Sequence, residues 1–206
     1  MAQLITFEDA QLAIKPFYTN LFGIINSAWR DWQQLPPYAI AKASTRTRAS
    51  FVHDFMVSRA GDLTSLNEAI RSVNHRSMFA LVIESPAGFI ALRFKKLNDD
   101  GLSKSQPTQQ VRDFQEQVTI AGIGAAHHLE VGYVLNHTQD AIQSIDMVCP
   151  SGLNAIYWKA EITPSNMAGK VSDLLKTSDT ESSKDLGFTV KRRDIGDTGN
   201  AATGTN

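Results

Sequence analysis

The stretch from Met78 to Lys96 constrains this chain more than any other. Two apolar runs, Met78 to Glu84 and Phe89 to Lys96, flank the turn residues Ser85-Pro86-Ala87-Gly88. Such runs joined by four residues predict a β-hairpin. The expected register pairs Ile83 with Ile90, Leu81 with Leu92 and Phe79 with Phe94. A period of two puts all six on one face, so burial itself fixes the register. The other face then pairs Met78 with Lys95, Ala80 with Arg93 and Val82 with Ala91.

Helices are expected before the hairpin. Ile14, Phe17, Tyr18, Leu21, Ile25, Ala28, Trp29 and Trp32 follow steps of three, one, three, four, three, one and three, an amphipathic stripe. Pro16 starts or kinks that helix, and Pro36-Pro37 ends it. A second helix is predicted from Thr47 to Ala60, capped by Ser44 or Thr45 and stopped at Gly61. Ala69 to Asn74 is a further candidate strand. After the hairpin, residues 98–106 read as loop and Pro107 opens a helix to about Val118. Strands are predicted over His128 to Leu135, Ala141 to Cys149 and Asn154 to Ile162.

This order predicts an α+β fold: an antiparallel or mixed sheet of about five strands, with the N-terminal helices packed on one side. Residues 1–162 form one domain, large enough to bury a core. Residues 163–206 are rich in Ser, Thr, Asp, Gly and Lys, and read as a largely disordered tail. Its islands Met167, Val171, Leu174, Leu175 and Val190-Lys191-Arg192-Arg193 are candidate partner-docking elements.

Across all 206 residues the formal net charge is -1, so bulk charge singles out neither nucleic acid nor membrane. The distribution is uneven. Lys42 to Lys104 holds ten Lys/Arg against six Asp/Glu, whereas Ser105 to Ile162 holds two against six. Either the two parts pair with each other or the first presents a basic surface to a polyanion. The single cysteine, Cys149, rules out an internal disulfide and fits a reducing compartment. No leader segment or run of about 18 apolar residues is visible, so the expected location is cytoplasmic, with no membrane contact.

Two clusters carry candidate binding chemistry. Arg93, Lys95 and Lys96 stand at the end of the hairpin. A guanidinium beside an ammonium suits phosphate or carboxylate, and Arg93 facing the small Ala80 leaves it reachable. Asp99 and Asp100 offer the same groups a purely structural pairing. The second cluster, Arg46, Arg48 and His53, lies on the first turns of a helix, where backbone amides and the helix dipole favour anions.

Catalytic and metal signatures are sparse. PD-(D/E)xK nucleases set an acid on one strand and an acid and lysine two apart on the next. Glu84 could serve as the first acid, but Arg93 stands where the second is required. The histidines His53, His75, His127, His128 and His137 show no metal-ligand spacing, and Cys149 alternates with Met147 and Ile145 as a core thiol. No metal or cofactor is expected.

The segments Arg46 to Val57, Arg93-Phe94-Lys95-Lys96-Leu97, Pro107-Thr108-Gln109-Gln110 and Cys149-Pro150-Ser151-Gly152 with Trp158 resemble an uncharacterised bacterial family. Its members are encoded beside a helix-turn-helix regulator and an ImmA/IrrE-type peptidase in mobile or defence loci. The resemblance spans about residues 5–162. It implies a toxin–antitoxin or phage-defence context with operon-encoded partners, and it brings no activity with it. The expectation is a non-enzymatic component that contacts nucleic acid or a partner protein through Arg46, Arg48, His53, Arg93, Lys95 and Lys96. The alternative is a nucleic-acid- or nucleotide-directed enzyme using Glu84, Arg93, Lys95 and His53.

Overall fold

The computed structural model describes residues 4–76, 78–103, 106 and 108–163. Apart from Thr163, the expected tail and its docking islands lie outside these residues.

Three helical segments and one long helix precede the sheet. Helix α1 (Phe7–Ile14) starts where the Thr6 hydroxyl accepts from the Asp9 amide at 3.2 Å. Pro16 lies in a 3-10 turn, Lys15–Phe17, that separates α1 from α2 (Tyr18–Gln33). Proline has no amide proton to continue the α ladder, so the expected single stripe becomes two helices. Pro37 opens the short α3 (Pro37–Lys42) besides closing off α2. A proline at a first helical position forfeits no bond, because that amide has no intrahelical partner.

Helix α4 (Thr45–Leu66) begins as expected, with the Ser44 hydroxyl accepting from the Thr47 amide at 3.1 Å. It does not stop at Gly61. Ala60 and Leu63 are buried, and their burial carries the helix through the glycine to Asn67, whose backbone is extended.

The sheet runs β1 (Ile70–His75), β2 (Met78–Ser85), β3 (Gly88–Leu97), β4 (Ala126–Leu135), β5 (Ile142–Gly152) and β6 (Ala155–Glu161), side by side in that order. It has six strands because Ile70–His75 joins the edge. Neighbours are antiparallel except β3 and β4, which are parallel. A parallel pair needs a crossover, and α5 (Gln109–Gln115) lies within it.

The hairpin forms in the expected register at Leu81–Leu92, Val82–Ala91 and Ile83–Ile90, and closes at Ser85–Gly88. The turn is therefore tighter than four residues, with Gly88 at φ +103°, where a side chain would be strained. Its ladder to β2 covers Leu81–Leu92 through Ser85–Gly88, so the expected pairs of Phe79, Ala80 and Met78 are not in it. The ladder from β3 to β4 continues to Leu97.

The two faces of the sheet differ. Leu81, Ile83, Ile90, Leu92, Phe94, Tyr133 and Met147 pack with Trp29, Trp32 and Met56 of the N-terminal helices. Trp158 of β6 ties down the chain start by donating to the Ile5 carbonyl at 3.0 Å. The opposite face buries Met78, Ala80, Val82 and Ala91 against Phe114 of α5 and against Ile120 and Ile123. Among the described residues, no helix is long and apolar enough to cross a membrane.

Candidate functional site

The parallel strands β3 and β4 end together, with Leu97 opposite Val134. In open sheets the carboxyl ends of parallel strands are where crevices form. A cleft of about 1070 Å³ opens there. One wall is a strip of α4: Thr45, Arg46, Ala49, Ser50, His53 and Asp54. Their spacing puts all six on adjacent rows of one helix. The floor is Lys95, Lys96 and Leu97 with Val134 and Leu135, and the far wall is the β4–β5 turn with Asn136, His137 and Gln139.

Burial and charge shape this cleft together. Lys95 is half-buried, and burial with the nearby Arg93 charge pushes its ammonium down to about 8, partly opposed by Glu130. His53 is held below its ordinary value by burial and then by Lys95, with Arg93 adding to this and Asp54 working against it. Its Nδ1 stands 3.6 Å from Asp54 Oδ1. At neutral pH His53 is thus mostly uncharged, while Lys95 is mostly charged but close to losing its proton. Arg46 is exposed at the rim of the α4 N-terminus, and Lys96 is half-buried. Asp54 and Asp99 are the carboxylates in the lining.

Of the six residues expected to bind, Arg46, His53, Lys95 and Lys96 therefore share one cleft. Arg48 does not line it. Its guanidinium donates to the Gln139 carbonyl and to Gln139 Oε1, each at 2.7 Å, and lies 6.0 Å from the Trp29 ring centroid. Arg48 clamps the far wall to α4. That turn is also braced internally. Asn136 Nδ2 and the Thr138 hydroxyl both donate to Asp140 Oδ1 at 2.7 Å.

Arg93 is not reachable by a ligand. Helix α5 covers the space that Ala80 leaves, and the Arg93 guanidinium lies 4.7 Å from the Phe114 ring centroid with the residue only 7% exposed. Beside it across the ladder stands Glu130, and His128, Asp146, Gln115 and Gln117 are buried with them. Burial works against the Arg93 charge and Glu130 offsets part of that. Arg93 thus reaches the cleft only through its field on Lys95 and His53.

Glu84 is exposed and pairs with Phe89 at the turn end of the hairpin. At about 3.3 Å per residue it lies about 13 Å from Arg93 and about 20 Å from Lys95 along the strand. The set of Glu84, Lys95 and His53 expected for an enzyme does not converge. Cys149 is buried in the helix-side core, and burial pushes its thiol up to about 12, so it is inert there.

Sequence reasoning misses Asn136, His137, Gln139 and Gln143. A polar turn after a strand is legible, but which helix it faces depends on the sheet order. The buried His128 and Glu130 left a usable signal. They are polar residues at alternate positions in an otherwise apolar strand, which marks a face that is covered rather than solvated. Comparison with protein-family models, curated proteins and solved structures returns no match for this chain.

Proposed function

We propose that this protein is a cytoplasmic, nucleic-acid-binding component of a bacterial toxin–antitoxin or phage-defence module. A single strand lies in the cleft between α4 and the carboxyl ends of β3 and β4. The observation that carries this reading is the gathering of Arg46, Lys95 and Lys96 with the amide side chains Asn98, Gln106 and Gln143 around one opening. Cations meet phosphates, and amides meet base edges. An acidic protein partner would use the cations alone, which is why nucleic acid is favoured. The resemblance supplies the module context and its operon-encoded regulator or peptidase.

The test is fluorescence anisotropy with single-stranded RNA and DNA 12-mers and an acidic peptide of equal charge. The reading expects affinity for the strands to fall with salt at a log–log slope of about -2, for about three phosphates neutralised. Arg46→Ala should flatten that slope by roughly 0.7. Binding of the peptide alone, or of nothing at low salt, contradicts it.

One observation favours a second reading, in which the bound strand is also a substrate. His53 and Lys95 line the same cleft, where Lys95 titrates nearer neutrality than a lysine usually does and His53 is held below its ordinary value, as an uncharged imidazole at neutral pH. Such pairs concentrate at sites of proton transfer.

A further inference from the structure

We propose that the cleft cleaves single-stranded RNA by internal transesterification, with His53 as the proton acceptor and Lys95 as the proton donor. This rests on the nucleic-acid reading of the same cleft and names its substrate class.

The argument begins with what RNA brings to the reaction. Its 2′-hydroxyl lies next to the scissile phosphate, so the protein need not supply a nucleophile. Three things remain to be supplied: a base for the 2′-hydroxyl proton, an acid for the departing 5′-oxygen, and cations for the charge that builds on phosphorus. The cleft holds one of each kind. His53, on the α4 wall, has an imidazole kept neutral by burial and by the charges of Lys95 and Arg93. Lys95, on the floor, is an ammonium made more acidic than an ordinary lysine by burial and Arg93. Arg46 and Lys96 flank them.

The step balances. His53 takes the 2′-hydroxyl proton as the 2′-oxygen forms its bond to phosphorus. The bond from phosphorus to the 5′-oxygen breaks, and that oxygen leaves with a proton from Lys95. The products are a 2′,3′-cyclic phosphate and a 5′-hydroxyl. Water returns a proton to Lys95 and removes one from His53, and no electron changes hands.

The structure also sets the pH response. The charged and titratable groups around the pair are Arg46 and Asp54 on α4, Arg93 and Lys96 on β3, Asp99 just after it, Glu130 on β4 and His137 in the β4–β5 turn. The rate should rise as His53 loses its proton below about 6.5 and fall as Lys95 loses its own near 8. The optimum lies between the two titrations, on the acid side of the Lys95 one.

The experiment uses the full chain with a 5′-labelled RNA 20-mer in EDTA, at pH values from 5 to 9. The expected result is fragments ending in 2′,3′-cyclic phosphate, with a bell-shaped pH profile. His53→Ala and Lys95→Met should each lower the rate by about 10²-fold or more. The same strand with 2′-deoxyribose throughout should bind and stay intact, a control that needs no protein variant. RNA bound but uncut across this range overturns the proposal and leaves the binding reading standing. Equal cleavage of the deoxy strand, or a rate indifferent to both substitutions, also overturns it. No binding at all overturns the reading beneath it.

Discussion

Lowering the pH should unfold this protein through His128. The ring is fully buried, stacked on Phe114 with centroids 4.4 Å apart, and its Nδ1 is 3.0 Å from the Phe114 carbonyl oxygen. That carbonyl accepts from Nδ1–H, so the neutral tautomer fits. Burial, opposed in part by that hydrogen bond, lowers the ring from 6.5 to about 4. The folded protein therefore binds fewer protons here than the unfolded chain between these values, and stability falls as pH drops through them. Two and a half pH units correspond to a limiting loss of about 3.4 kcal/mol, with about 1.4 kcal/mol gone by pH 5.5 and about 3 kcal/mol by pH 4. The useful quantity is a difference between two proteins, because it cancels every other acid-sensitive group. Urea unfolding of the parent and of His128→Phe, at pH 7, 5.5 and 4, isolates the histidine. Phenylalanine keeps the stack and removes the titration. The parent should lose about 3 kcal/mol more than the variant between pH 7 and 4. Parallel pH curves for the two proteins, or a His128 titration near 6.5 by NMR, would refute the reasoning.

Other expectations concern the cleft and its frame. Gly132→Ala places a Cβ against the Lys95 carbonyl group, 2.8 Å from its carbon, and should cost at least about 1–3 kcal/mol in urea unfolding while distorting the cleft floor. Ser44→Ala removes the cap of α4 and should cost about 1 kcal/mol in thermal unfolding. Arg48→Ala frees the β4–β5 turn without removing a group that lines the cleft. It should weaken RNA binding chiefly through a faster dissociation rate in stopped-flow measurements, with the thermal midpoint little changed.

How far the sequence reveals this molecule varies by element. The hairpin is legible because six large apolar residues at a period of two admit one buried face. A sheet of about this size is legible because its strands are bounded by turn residues, but whether it is antiparallel or mixed is not. Gly61 misleads because a glycine reads as a stop when its neighbours' burial is unknown, and Ala60 and Leu63 carry the helix past it. Arg93 misleads for a related reason. Period two assigns it to the face away from the N-terminal helices, which is correct, but only the packing reveals that α5 crosses over and covers that face. The cleft itself is a tertiary object. Residues 46–54, 95–99 and 134–143 meet because β3 and β4 run parallel, and strand direction across a long crossover is not written in any local stretch.

The central claim is that nucleic acid lies between α4 and the carboxyl ends of β3 and β4. Ultraviolet cross-linking of a 4-thiouridine RNA 12-mer to the full chain, followed by peptide mass mapping, locates the contact directly. Cross-links should fall on the segments 45–54, 95–99 and 134–143. Cross-links confined to the opposite face around α5, or spread evenly over the domain, would contradict the account.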